Sequence, residues 1–293
     1  MDQAVLTPSQ STPEPTLTGT PLPSIVIEAR KSLWHINIKE LWQYRELLYF
    51  LVWRDLKVRY RQTAIGAAWV VLQPFLTMMM FTLVFSVFIK IPSDGVPYPI
   101  FAYAALLPWT CFSQAIGRCA SSVVMDAGLI SKIYFPRLII PLAAVIPPFF
   151  DFCWSLFILF AMMAWYGIGL SWHLLTVPAF LILAVLTALG VGLWLSALNV
   201  KYRDIGHVVP FLIQIWMFAS PVVYPVSLVP EKWRLLYSLN PMVGVIEGFR
   251  WAVLGKAAPD LTIIGLSSVM VLASLVGGLV FFKRMEKTFA DDI

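Results

Sequence analysis

The chain has 293 residues, of which 59% are apolar and 13% charged, and its mean hydropathy is +0.80. Ordinary soluble domains carry roughly a quarter of charged residues, so a large soluble domain is excluded. The formal net charge of +5 does not indicate nucleic acid, because the basic residues sit at the ends of apolar runs rather than along one stripe.

Residues 1–32 are rich in Thr, Ser and Pro and lack a basic segment followed by an apolar one, which argues against a secretory signal. They are expected to form a disordered cytoplasmic tail, with residues 33–293 forming one transmembrane domain. Over residues 40–62, Leu41, Tyr44, Leu48, Leu51 and Trp53 recur at roughly helical spacing among charges. Trp and Tyr beside Arg and Lys favour an amphipathic helix lying in the membrane interface over a solvated helix packed on protein.

Six spans are expected, at approximately 66–89, 100–125, 140–166, 173–198, 208–223 and 261–282, since about 20 apolar residues cross a bilayer. The charge-free run 152–200 is about two spans long and is broken at Gly167, Gly169 and Ser171, which predicts a tight turn. The fifth span is short, with Pro210 near its start and Pro221 and Pro225 at its end. Between the fifth and sixth, Pro230 can open one helix and Asn240–Pro241 can divide it from a second that Gly255 closes. Neither is a full span, so the pair is expected to dip into the outer leaflet and return. A plain external loop would leave Trp233, Tyr237, Phe249 and Trp251 in water.

Loops placed inside would carry Arg54, Lys57, Arg59, Arg61, Lys132, Arg137, Lys201, Arg203, Lys283, Arg284 and Lys287, against Lys90, Lys232, Arg234, Arg250 and Lys256 outside. That bias puts both termini in the cytoplasm. Arg118 and Asp151 fall within membrane depth at similar heights on antiparallel spans, and are expected to pair with each other. On the first span, Phe81, Phe85 and Phe88 are spaced to share one face and are candidates for a channel lining.

Cys111, Cys119 and Cys153 show no metal-ligand or redox spacing, and no metal site is expected. Arg250 stands where the first glycine of a phosphate-binding loop would be, and Ala257 follows Lys256. There is no HExxH, no GxSxG and no cluster of acids on one loop. A transport subunit is therefore favoured over an enzyme, and no cofactor is expected in this chain.

The runs WRDLKVRYRQTAIGAAWVVLQPFLTMMMFTLVF, IPSDGVPYPIFAYAALLPW, ISKIYFPRLIIPLA, SPVVYPVSLVP and YSLNPMVGVIEGFRW closely resemble the membrane subunit of type 2 ABC exporters of polysaccharides. The resemblance covers nearly everything after Leu33. It implies an all-α half-transporter of six transmembrane helices in the bacterial inner membrane, working with a second copy and with two ATPase subunits that bind ATP and Mg. Its cargo would be an undecaprenyl-linked polysaccharide such as O-antigen, with capsule, teichoic acid, a drug or a small lipid as alternatives within the family. By the same resemblance, the helix bearing Trp53, Arg54, Lys57, Arg59 and Arg61 is an interface helix. The loop with Ser131, Lys132, Tyr134 and Arg137 couples to the ATPase, and the short helices with Trp233, Tyr237, Glu247 and Arg250 form an external gate. A membrane-embedded transferase acting on polyprenyl-linked sugars is the alternative of another class, but it should gather carboxylates on a loop.

Overall fold

The computed structural model describes residues 38–61, 68–255 and 260–289. The expected tail over 1–32, the Arg61 side chain and Lys256 lie outside the described residues. Helices α1 (Ile38–Gln43) and α2 (Arg45–Arg61) precede the spans. Next come α3 (Ala68–Phe81), which continues as a π-helix over Thr82–Phe88, and α4 (Tyr98–Met125). The short α5 (Ala127–Ile130) and α6 (Ile139–Ala144) lead into α7 (Pro147–Trp165). A 3₁₀ turn opens α8 (Val177–Lys201), followed by α9 (Ile205–Phe218), α10 (Glu231–Tyr237), α11 (Pro241–Leu254) and α12 (Leu261–Met285). No strand occurs among the described residues.

Five helical segments are long and apolar enough to cross a membrane, and α9 is a shorter apolar helix. Its 14 residues span about 21 Å at 1.5 Å each, short of a hydrocarbon layer of about 30 Å. It begins earlier than expected, at Ile205, because Pro210 falls inside the helix rather than at its start. The third span, expected as one helix, is broken between α6 and α7. Pro147 and Pro148 lack the N–H donors that would carry the helical hydrogen bonds across this point.

The centre of the molecule is α4, with Ile100, Ala102, Tyr103, Ala104, Ala105 and Leu107 fully buried. It packs against α8, α7, α11, α6 and α3, while α8 packs against α12. Glycines set the closest approaches. A Cβ on Gly278 of α12 would stand 2.2 Å from the Gly190 carbonyl oxygen of α8, and one on Gly192 would stand 2.6 Å from Cys119 Sγ of α4. Backbones in apolar surroundings meet this closely only where side chains are missing, which is how small residues drive helix association in lipid.

Candidate functional site

Polar side chains gather at the two ends of the bundle. At one end lies α2, whose Leu51 and Val52 are buried against Phe135, Ile139, Ile140 and Ala143, with Leu41, Tyr44 and Leu48 beside them. Trp53 leaves that stripe and is exposed with Tyr49, Phe50 and Val58, and Lys57 is exposed as well. Several charges of α2 turn inward instead. Arg54 grips Asp126 at two points, Nη1 to Oδ1 at 2.8 Å and Nη2 to Oδ2 at 3.0 Å, and its Nε donates to Asp55. Bonding to Asp126 raises the Arg54 pKa against the opposing effect of burial, so the cation is fixed.

This geometry overturns the expected pairing of Arg118 with Asp151. Arg118 Nη2 donates to Asp55 Oδ2 at 2.9 Å, and Asp151 takes Arg59 and Tyr60 as partners. Tyr60 Oη donates to Asp151 Oδ1 at 2.7 Å. Arg59 Nη2 lies 2.6 Å from Asp151 Oδ2, but off the N–H axis, and donates to Gln114 Oε1 at 2.8 Å. The reason is spacing on α2: residues four apart share a helix face, so Asp55 and Arg59 present an acid and a base to the same side. Each neutralises one of the deep charges, and the Arg118 and Asp151 side chains need not reach each other. Burial, then the bond to Asp151, holds the Tyr60 phenol above its ordinary pKa, so it stays a donor.

The expected coupling loop follows α5. Ser131, Lys132, Ile133 and Tyr134 are exposed on it, above the buried Phe135. Arg137 is differently employed: its guanidinium donates to the carbonyl of Glu286, the residue that ends α12, and lies 6.0 Å from the Phe289 ring. A cation at a helix C-terminus is favourably placed, so Arg137 anchors the loop to α12.

At the other end, the expected pair of short helices is present as α10 and α11. Trp233 is exposed on α10, and the Tyr237 hydroxyl lies 3.1 Å from that of Tyr224. Helix α11 is buried almost throughout, against α12, α4 and α8. Its Arg250 is 6% exposed, stacks 3.7 Å above the Phe101 ring and donates to Glu247 Oε1 at 2.6 Å and to the Pro221 carbonyl at 2.7 Å. Beside it Asn240, read from sequence only as a chain break, uses its whole amide. Its Oδ1 accepts from Trp216 Nε1 and Met242 N, and its Nδ2 donates to the Ala219 carbonyl and Ser220 Oγ. An Asn directly before Pro at a helix start was the available signal, since Asn is a favoured N-cap.

Of the three phenylalanines on the first span, Phe81 and Phe85 meet edge-to-face at 5.6 Å and pack on the core, whereas Phe88 is 70% exposed. Phe85 and Phe88 lie in the π-helical segment, which has a wider turn than the 3.6-residue period behind the expected shared face.

A helical multi-pass membrane protein with its polar chemistry at two ends is the class these features define. Residues 46–254 match the model of the ABC-2 type transporter family, and the chain belongs to that family. It is 33% identical over 260 residues to the O-antigen export system permease protein RfbA of Myxococcus xanthus, covering 87% of this chain and 98% of that protein. A protein of the same description from Klebsiella pneumoniae is 26% identical over 84% of this chain and 94% of its own length. The polysialic acid transport protein KpsM of Escherichia coli is 22% identical over 80% and 91%.

Proposed function

We propose that this chain is the permease subunit of an ATP-driven exporter that carries a lipid-linked polysaccharide of the O-antigen kind across the bacterial inner membrane. The observation that carries this reading is the near end-to-end match to permeases named for O-antigen export. The chain has no phosphate-binding motif of its own, so hydrolysis of ATP with Mg falls to separate ATPase subunits. Their docking point is the exposed knuckle Ser131, Lys132 and Tyr134, held at its base by Arg137, with α2 as the interface helix beside it. Both termini then lie in the cytoplasm. Helices α10 and α11 form the external gate, over a pathway to which Phe88 contributes an aromatic wall. A second copy completes that pathway. In support, α3 and α9 expose apolar faces, among them Met79, Leu83 and Val87 on the first span and Phe211, Ile215 and Phe218 on α9.

Deletion of the gene tests the reading. Lipid-linked polymer should accumulate inside the cell and disappear from the surface. Normal surface polysaccharide together with new sensitivity to a small hydrophobic drug would replace the polysaccharide with a drug as cargo.

A further inference from the structure

The linker between α9 and α10, residues 219–230, is held unlike a surface loop. Its residues Ser220, Pro221, Val222 and Val223 are all buried. Connecting segments usually run over the surface, because a buried backbone must find partners for its polar groups within the protein. Here the side chains of two other helices supply them. Asn240, the cap of α11, donates to the Ala219 carbonyl at 3.0 Å. Arg250, near the end of α11, donates to the Pro221 carbonyl at 2.7 Å, and Tyr98, at the start of α4, donates to the Val223 carbonyl at 2.8 Å. Ser227 Oγ adds a bond to Asp94, in the turn before α4, at 3.0 Å.

Arg250 is the costly member of this set. A buried ion pair seldom holds helices together better than apolar residues of the same size, so the packing of α11 on α4 does not account for it. Its guanidinium divides its donors. Nη1 keeps Glu247, one turn away on the same helix, Nη2 reaches across to the linker, and Nε is buried with no partner among the described residues. The guanidinium lies on the Phe101 ring, which packs against Tyr98 with ring centres 5.9 Å apart. Tyr98 and Arg250 thus reach the linker from one aromatic platform in the wholly buried half of α4. Because Glu247 belongs to the same helix as Arg250, the two stay together if the linker leaves, and no bare charge is stranded.

We infer that Tyr98 and Arg250 form a latch that holds the α9–α10 linker against α4 and keeps the exit shut between transport cycles, with Glu247 neutralising Arg250 while the latch is open. The latch rests on the export reading above, with α10 and α11 as its external gate, and adds the positioning residues that decide whether the gate is closed. The linker is continuous with both α9 and α10, so lifting it off its donors frees the two helices together. A charge-assisted hydrogen bond is roughly twice as strong as a neutral one, so Arg250 contributes the larger share and Tyr98 the smaller.

Accessibility of the linker in the full transporter, permease with its ATPase in nanodiscs, tests this. Val222 is fully buried, so Val222→Cys should react with a charged thiosulfonate reagent only when the linker lifts, at a rate that follows the open population. The parent gives the background from Cys153. Adding Tyr98→Phe should speed the reaction about fivefold, the share of one neutral hydrogen bond. Adding Arg250→Met together with Glu247→Met should speed it about twentyfold, the share of a charge-assisted bond, with the melting midpoint kept. Glu247→Gln has the opposite sign. It leaves Arg250 dependent on the Pro221 carbonyl, so labelling and export in cells should both slow several-fold. Unchanged labelling in the Tyr98 and Met variants would overturn the latch. So would faster labelling in Glu247→Gln, since that would reduce the cluster to ordinary packing. A disulfide between Asp94→Cys and Ser227→Cys should stop export and release it on reduction, and export that continues with the bridge formed would also overturn the latch. Each of these failures leaves the export reading standing, because that falls only if deletion spares surface polysaccharide.

Discussion

Asp55 and Arg59 bind α2 to the spans at two separate points, and the pairing makes a prediction that the expected Arg118–Asp151 pair would not. Asp55→Asn should destabilise by about 2 kcal/mol, and Arg118→Gln by a similar amount, because each leaves a partly buried partner uncompensated. The double variant should lose much less than the sum, read as the unfolding midpoint of the purified protein in detergent. Exchanging Arg59 with Asp151 should recover part of what either single change loses. Exchanging Arg118 with Asp151 should recover nothing, and full recovery there would restore the pairing drawn from sequence. That both residues required partners was legible, since lone charges at membrane depth are costly. Their identity was not: periodicity fixes positions along one helix and says nothing of how far α2 is slid against α4.

Among the helices, the closest approaches give the sharpest contrasts. Gly278→Ala would press its Cβ against the Gly190 carbonyl, backbone on backbone with nothing able to rotate away. It should cost about 3 kcal/mol or abolish folding, as overpacking of this severity does. On the same helix Gly265 has nothing within 4 Å of its Cβ position, so Gly265→Ala should be neutral or stabilise by up to about 1 kcal/mol. Equal effects at the two sites, compared as melting midpoints, would refute the close crossing of α8 and α12. Asn240→Ala removes the α11 cap together with its ties to α9. A loss of about 2 kcal/mol is expected, with Asn240→Asp recovering the share due to the cap and to Trp216, because the carboxylate keeps the acceptor and lacks the two donors. The turn residues that divide these helices were readable from Pro and Gly alone. The Pro147–Pro148 break was readable too, but apolar length outweighed it in placing one continuous third span.

At the scale of the whole chain, hydropathy located five crossings and the short fifth helix within a few residues, because lipid demands long apolar runs. The face of α4 that carries Gln114 and Arg118 was invisible to that measure. Its hydroxyls and glycine dilute the hydropathy of the span only slightly, and which face of a helix is covered depends on neighbours far away in sequence. The exposed knuckle at Lys132 and Tyr134 belongs to this scale as well. Lys132→Glu with Tyr134→Ala should leave the permease folded and inserted while reducing co-purification of its ATPase several-fold, and undiminished co-purification would move the docking point elsewhere.

The glycine crossing of α8 with α12 also settles where movement can occur. Helices wedged backbone to backbone cannot slide without first separating, so α8, α12 and the α4 core they clasp act as a stiff frame. Helix α9 is the opposite case: Val209 is its one buried residue, and its ties are few, Ile213 near Gly117 and Trp216 against Phe112 and Asn240. Of the helices around α4, α9 is therefore the one whose packing within the chain leaves it room to shift. A disulfide joining Gly117→Cys to Ile213→Cys should stop export and release it again on reduction, whereas a cross-link between α8 and α12 should leave the transporter running.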